Sequence, residues 1–215
     1  AVGAALPMLY FLPVDSEARG LLLGAVLISA LGAIDDACDL PPLLKLAGQV
    51  ACAAVPVSAG RTIDHITVPL VGVGNLGLLQ YPVTIVWFVA IVNIINFIDG
   101  MDGLAAGVTG LGAVTFAVIA ASLNRPEAAI AGAAIAGACA AFLVFNFHPA
   151  TIFMGDSGAM FLGFMTAGIS VSGVMKTTAT VAVVIPLLVL AIPILDTSFV
   201  VLKRLKHGLP VYAAD

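Results

Sequence analysis

Charge is what this sequence has least of. Only 9% of its 215 residues are Asp, Glu, Lys or Arg, against about 25% in soluble globular domains, while 61% are hydrophobic and the mean hydropathy is +1.17. That composition excludes a soluble domain. The scarce basic residues form no run beyond the short cluster Lys203, Arg204, Lys206, and the net charge is -4, so nucleic acid is excluded as a partner. Cysteine is equally sparse. Cys38, Cys52 and Cys139 lie inside apolar runs without C-x-x-C spacing, which argues against a disulfide framework or a zinc site. Long hydrophilic stretches are missing too. At roughly 20 residues per membrane span, eight spans would use about 160 residues and leave about 55 for connections, so residues 1–215 read as a single transmembrane domain.

What is present is a series of apolar runs at about 19–34, 43–60, 82–98, 103–123, 127–147, 157–175 and 177–202. Unpaired peptide groups cannot be hydrated in the bilayer core, so such runs must form helices or a closed barrel, and their continuity fits helices. The fold expected is an all-α polytopic bundle of seven spans. A partial first span precedes them, because Ala1 to Leu12 is too short to cross, and further helices are expected upstream. Small residues recur at four-residue spacing: Gly20 and Gly24, Gly103 and Gly107, then Ala128, Gly132, Ala136 and Ala140. These predict close helix contacts. Between Arg61 and Pro82 a loosely alternating stretch followed by Gly72, Gly74 and Gly77 predicts a small β-hairpin at the membrane surface. Pro186 and Pro193 predict a break near Pro193.

Successive connections alternate between the two membrane faces, and this sorts the acids. Eight of the twelve fall on one face: Asp35, Asp36, Asp39, Asp99, Asp102, Asp156, Asp196 and Asp215. Lysine and arginine divide evenly, so the positive-inside rule gives a tie that only the C-terminal basic cluster tips toward a cytoplasmic acidic face. The hairpin then belongs to the non-cytoplasmic side.

Three blocks on the acidic face carry candidate chemistry. In GAIDDACDL, Asp35 and Asp36 are adjacent at a helix end. Acids can cap the next helix, but a neighbouring pair at a bilayer edge repels itself, which favours a cation or phosphate-handling role. Lys45 follows with Gln49 on its helix face. In NIINFIDGMDGLAAG, Asn93, Asn96 and Asp99 recur every third residue, and Asp102 closes a second Asp-Gly pair. In FNFHPATIFMGDSGAMFLG, Asn146, His148, Phe153, Asp156 and Ser157 share one connection, with Asp156 expected just before a helix starting at Ser157. Such an oxygen-rich set suits Mg²⁺ or Mn²⁺ and disfavours zinc. Phosphoryl chemistry on a lipid-borne acceptor is the leading reading. An ion-coupled transporter is the competing one, but it predicts acids near the midplane of broken helices, where only Asp196 lies.

In order and spacing these blocks resemble the polyprenyl-phosphate N-acetylhexosamine-1-phosphate transferase family. The resemblance spans nearly the whole chain. It implies an Mg²⁺-dependent enzyme that moves a sugar-1-phosphate, most readily GlcNAc-1-phosphate, from a UDP-N-acetylhexosamine to a polyprenyl phosphate and releases UMP. On it, Asp35 and Asp36 match the catalytic pair, Lys45 a phosphate-facing lysine, and Asp156 with Asn96 the metal ligands. Asp99 and Asp102 match nucleotide-side acids, Phe153 an aromatic on the uridine, and Asn93 and Asn146 fall among the substrate-binding positions. A bacterial inner-membrane location with the site facing the cytoplasm, the first membrane step of cell-envelope glycan synthesis, and assembly as a homodimer are carried with it as expectations. The phospho-MurNAc-pentapeptide translocases are the alternative subfamily. Ala159 stands where that family has serine, and the family's His/Arg-rich loop is expected after residue 215.

Overall fold

The computed structural model describes residues 15–68, 72–172 and 191–206. Within them are seven α-helices: α1 (Ser16–Cys38), α2 (Pro42–Ser58), α3 (Gln80–Ile98), α4 (Leu104–Ser122), α5 (Pro126–Asn146), α6 (Gly155–Ser170) and α7 (Ala191–Lys206). Four of these stretches, Ser16–Cys38, Gly77–Ile98, Leu104–Ser122 and Pro126–Asn146, are long and apolar enough to cross a membrane, and α2 is a shorter apolar helix. The all-α membrane fold expected from the runs is thus the one observed. The partial first span and residues 177–190 of the last run lie outside the described residues. Pro193 is the third described residue of α7, and Pro186 lies outside the described residues.

The predicted hairpin forms between α2 and α3. Strands β1 (His65–Val68) and β2 (Gly72–Asn75) pair antiparallel, with His65 opposite Asn75 and Val68 opposite Gly72. It sits at the opposite end of α2 from Lys45. The buried Thr62 and the backbone of Ile63 anchor its base to Gln80 and Thr84 of α3.

The organising element is α6. Every residue from Ala159 to Val171 is buried, and α6 packs against α1, α3, α4 and α5. A helix apolar on all sides belongs in the centre of a bundle. Its contacts explain several small residues. A methyl placed on Gly32 of α1 would lie 2.5 Å from the Ser157 Cα, and one on Gly163 would lie 2.7 Å from the Val92 Cα, so both positions let backbones touch where lipid supplies no hydrophobic drive. Phe164 fills the remaining space against Phe88, with ring centroids 4.8 Å apart. At the far end of α6 the buried Arg61 donates to the Gly168 carbonyl at 3.2 Å, a favourable place for a cation at a helix C-terminus.

The four-residue spacing of small residues is resolved unevenly. Gly20 meets Ala59 and Pro56, Gly24 meets Phe164 and Cys52, and Gly132 meets Ala113 and Ala117, as a packing seam requires. Gly103 and Gly107 do not form one. Among the described residues nothing lies within 4 Å of a methyl placed on Gly107, and Gly103 is the residue before α4 with φ +72°, so its glycine serves the turn.

Candidate active site

The site is built where four helix ends meet, and the local sequence explains each end. α1 stops at Cys38 because Asp39 adopts a left-handed φ of 47° and the Asp39 amide closes on the Asp35 carbonyl. Pro41 and Pro42 follow. Their fixed φ suits the opening of α2, and Lys45 is thereby delivered in its first turn. α3 ends with Asn96 in its last turn and Asp99 as its cap. α6 begins at Gly155 rather than Ser157, so Asp156 lies inside the first turn and not ahead of the helix as the sequence suggested. Gly155 is required twice over. Its φ is +65°, and a methyl there would sit 2.9 Å from an Asp36 carboxylate oxygen.

Asp35, Lys45, Asn96 and Asp156 converge. Lys45 Nζ lies 2.6 Å from Asp35 Oδ2 and also bonds Asp156 Oδ2, so one ammonium bridges two carboxylates from different helices. The second oxygen of each acid is held as well. Asp35 Oδ1 accepts from the Leu40 amide at 2.9 Å, and Asp156 Oδ1 accepts from Asn96 Nδ2 at 2.8 Å. Asp35 is buried, with 8% of its surface exposed.

The adjacent Asp36 has a different place. Its two oxygens accept from the amides of Asp156 at 2.8 Å and Ser157 at 3.2 Å, so a carboxylate from α1 caps the N-terminus of α6. Free amides and the helix dipole both favour an anion there. Ser157 adds a bond from its hydroxyl to the Ser29 carbonyl at 2.9 Å. Asp99 shares the excess negative charge. Burial first, then repulsion from Asp156 and Asp36, pushes its carboxyl up to about 6.

A second cluster gathers around Asp102. Asp102 Oδ2 accepts from the Ala150 amide at 3.1 Å and lies 3.0 Å from His148 Nδ1. The Ala150 N–H, with His148 next, holds this carboxyl below the usual carboxylate range. Asn146 ties the same two connections: its Oδ1 accepts from the Gly103 amide at 3.0 Å and its Nδ2 donates to the Ile152 carbonyl at 2.9 Å. Phe153 is 75% exposed on that loop.

Two expected site residues stand apart from the carboxylate cluster. Asn93 forms a reciprocal amide pair with Gln49 of α2, and Asn146 spends both its groups on backbone. Gln49 is the residue that motif reading passed over as a contributor. Its signal was the four-residue spacing from Lys45, and only the fold supplies its partner. Among the described residues no three His, Cys, Asp or Glu side chains are gathered to hold a metal by themselves.

Asp156 and the Gly155 turn are embedded in a chain that matches the family described as Glycosyl transferase family 4 over residues 18–174. The chain belongs to that family. It is similar to a probable undecaprenyl-phosphate N-acetylglucosaminyl 1-phosphate transferase of Bacillus subtilis, 38% identical over 202 residues that cover 94% of this chain and 56% of the relative. A decaprenyl-phosphate N-acetylglucosaminephosphotransferase of Mycobacterium leprae is 35% identical over 223 residues, again 94% of this chain and 56% of the relative. A phospho-N-acetylmuramoyl-pentapeptide-transferase of Clostridioides difficile is 39% identical over 131 residues, covering 60% of this chain and 41% of the relative. The chain therefore spans about half the length of the curated relatives it matches. All the helices that form the carboxylate cluster fall within the part matched by the family, apart from the first two residues of α1.

Proposed function

We propose that this glycosyl transferase family 4 chain is the membrane-embedded core of an enzyme that transfers N-acetylhexosamine-1-phosphate, first of all GlcNAc-1-phosphate, from a UDP-sugar to a polyprenyl phosphate. UMP is the second product, and the site faces the cytoplasm of a bacterial inner membrane. The observation that carries the reading is the Lys45 ammonium shared by Asp35 and Asp156 at the ends of membrane helices. A cation held between carboxylates at that depth meets a lipid phosphate without requiring it to leave the membrane.

Asp35 and Asp156 share the Lys45 ammonium, while Asp36 sits on the first amides of α6 and Asp99 feels the charge of Asp156 and Asp36, so four carboxylates belong to a site with one lysine. Even with Asp99 partly protonated, the surplus is negative and the donor set is oxygen, which fits Mg²⁺ or Mn²⁺ held by one or two carboxylates together with substrate phosphates. Asp156, with Asn96 beside it, would hold the ion, which when bound neutralises diphosphate charge and polarises the leaving group.

The acceptor phosphate needs little activation, since a phosphomonoester with a second pKa of about 6 is mostly dianionic near pH 7. Its oxygen forms a bond to the sugar-side phosphorus of the UDP-sugar while the bond from that phosphorus to the UMP oxygen breaks, so the electron pair leaves with UMP. Lys45 offsets the charge of the incoming phosphate, and Asp35 orients it by holding the Lys45 ammonium. Asp102 and Phe153 receive the nucleotide. This direct route is favoured over an aspartyl-phosphate because Asp36 has both oxygens on helix amides and Asp35 has its two on Leu40 and Lys45.

The test is UMP release by the full-length protein in membranes containing undecaprenyl phosphate and Mg²⁺, with UDP-GlcNAc and UDP-MurNAc-pentapeptide as rival donors. Faster release with UDP-GlcNAc is expected. Release with the pentapeptide donor alone moves the protein to the other subfamily, and none with either donor ends the reading.

A further inference from the structure

One turn below the carboxylate cluster lies a polar contact that the reaction leaves unused. Gln49 of α2 is 2% exposed and faces Asn93 of α3. Asn93 Nδ2 donates to Gln49 Oε1 at 2.7 Å, and Gln49 Nε2 donates back to Asn93 Oδ1 at 3.3 Å. Asn93 Nδ2 also donates to the Val89 carbonyl at 2.8 Å. A carboxamide nitrogen has two hydrogens, so Asn93 has no donor left for a ligand. Buried amides are costly unless paired, which makes a reciprocal pair between two apolar helices a strong lock on their register.

That register decides the site. Lys45 stands four residues before Gln49, about 6 Å nearer the membrane surface along α2, and Asn96 three residues after Asn93, about 4.5 Å nearer along α3. Both bond Asp156, one to each oxygen. We infer that Gln49 and Asn93 are positioning residues whose reciprocal amide pair sets α2 against α3, so that Lys45 and Asn96 grip Asp156 in the orientation in which it receives a divalent cation. This rests on the reading above for the identity of the reaction, and it reassigns Asn93 from substrate contact to support.

The experiment uses the full-length protein in lipid nanodiscs, with Mn²⁺ affinity read by electron paramagnetic resonance and kcat and KM read from UMP release. Gln49→Leu and Asn93→Leu are each expected to weaken Mn²⁺ binding and lower kcat by roughly 10–100-fold, the usual cost of losing an outer-shell partner, with KM for the UDP-sugar changed less than threefold. The exchanged pair Gln49→Asn with Asn93→Gln keeps the combined reach of the two side chains. It should recover at least tenfold over the weaker of its single changes in both readouts. Variants that fail to elute as the native particle are replaced in the comparison by this exchanged pair.

Three results would overturn the inference. One is Gln49→Leu with wild-type Mn²⁺ affinity and kcat. Another is an exchanged pair no better than its single changes, joined to a KM rise confined to Asn93 variants, which is the signature of a substrate contact. The third is a wild-type protein that binds no Mn²⁺. A wild type that binds Mn²⁺ but releases no UMP defeats the proposed reaction alone, and the Mn²⁺ series still decides the role of the pair.

Discussion

Replacing Lys45 by methionine removes the one cation between Asp35 and Asp156 while keeping most of its aliphatic volume. In the native arrangement its ammonium lies 2.6 Å from Asp35 and also bonds Asp156, with 20% of the lysine side chain and 9% of the Asp35 side chain exposed. Deleting one member of a buried ion pair costs about 3–5 kcal/mol, because the remaining charge is left desolvated. Here two acids face each other once the lysine is gone, but water reaches the site, so the low end, about 3 kcal/mol, applies. For a domain of this size each kcal/mol moves the melting midpoint by about 2–4 °C, giving an expected drop of about 6–12 °C in the melting of this domain. Transfer should fall by about 10²-fold or more, the scale seen when one preorganised charge-stabilising donor is lost. Adding Asp35→Asn to Lys45→Met removes the more buried of the two uncompensated acids. That double variant should regain most of the melting temperature and none of the activity. A Lys45→Met protein that melts and transfers like the wild type would show that the bridge contributes to neither, and the reasoning about the site would fail with it.

Asp36→Ala removes both acceptors at the start of α6 and should cost about 1–2 kcal/mol, read as a lower chemical-denaturation midpoint, while Asp36→Asn, keeping one acceptor oxygen, should lose about half as much. Asp99 gives a pH signature: its folded value of about 6 exceeds the ordinary 3.8, so between those values the folded state binds more protons and stability falls as pH rises. The full shift corresponds to about 3 kcal/mol, which solvent screening of this half-buried carboxyl reduces, and melting curves should show Asp99→Asn gaining on the wild type from pH 4 to about 6.5 and holding a constant advantage above it. An equal offset at every pH would refute that assignment. Gly32→Ala puts a methyl 2.5 Å from the Ser157 backbone, so α1 must move off the first turn of α6; expression of folded protein or transfer activity should drop at least tenfold, whereas Gly107→Ala, whose added methyl meets no described atom within 4 Å, should leave both unchanged.

The primary sequence determined the class of molecule and most of its parts. Apolar runs long enough to cross a bilayer admit only helices once every peptide group must be paired internally, and the seven described helices follow those runs to within a few residues at most described ends. The hairpin was legible because glycines and alternating residues carry turn and strand chemistry locally. Asp35, Lys45, Asn96 and Asp156 stood out for a related reason: in a chain so poor in charge and buried amide, each polar residue at a helix end has a cost that packing does not explain.

Tertiary structure decided what each of those residues does. Asp35 and Asp36 are neighbours of one chemical type, yet successive side chains on a helix point about 100° apart. One therefore meets Lys45 and the other meets the amides of α6. Asn93 and Asn96 look equivalent in a three-residue repeat, but only Asn96 reaches Asp156, because Gln49 of another helix claims Asn93. Gly103 and Gly107 share the spacing of a packing seam and form none among the described residues, since no described atom lies within 4 Å of a methyl placed on Gly107. Spacing along a chain fixes which residues share a face; which partner that face meets is set by helices distant in sequence, and in the membrane that choice rests on close backbone contact and paired polar groups rather than on hydrophobic burial.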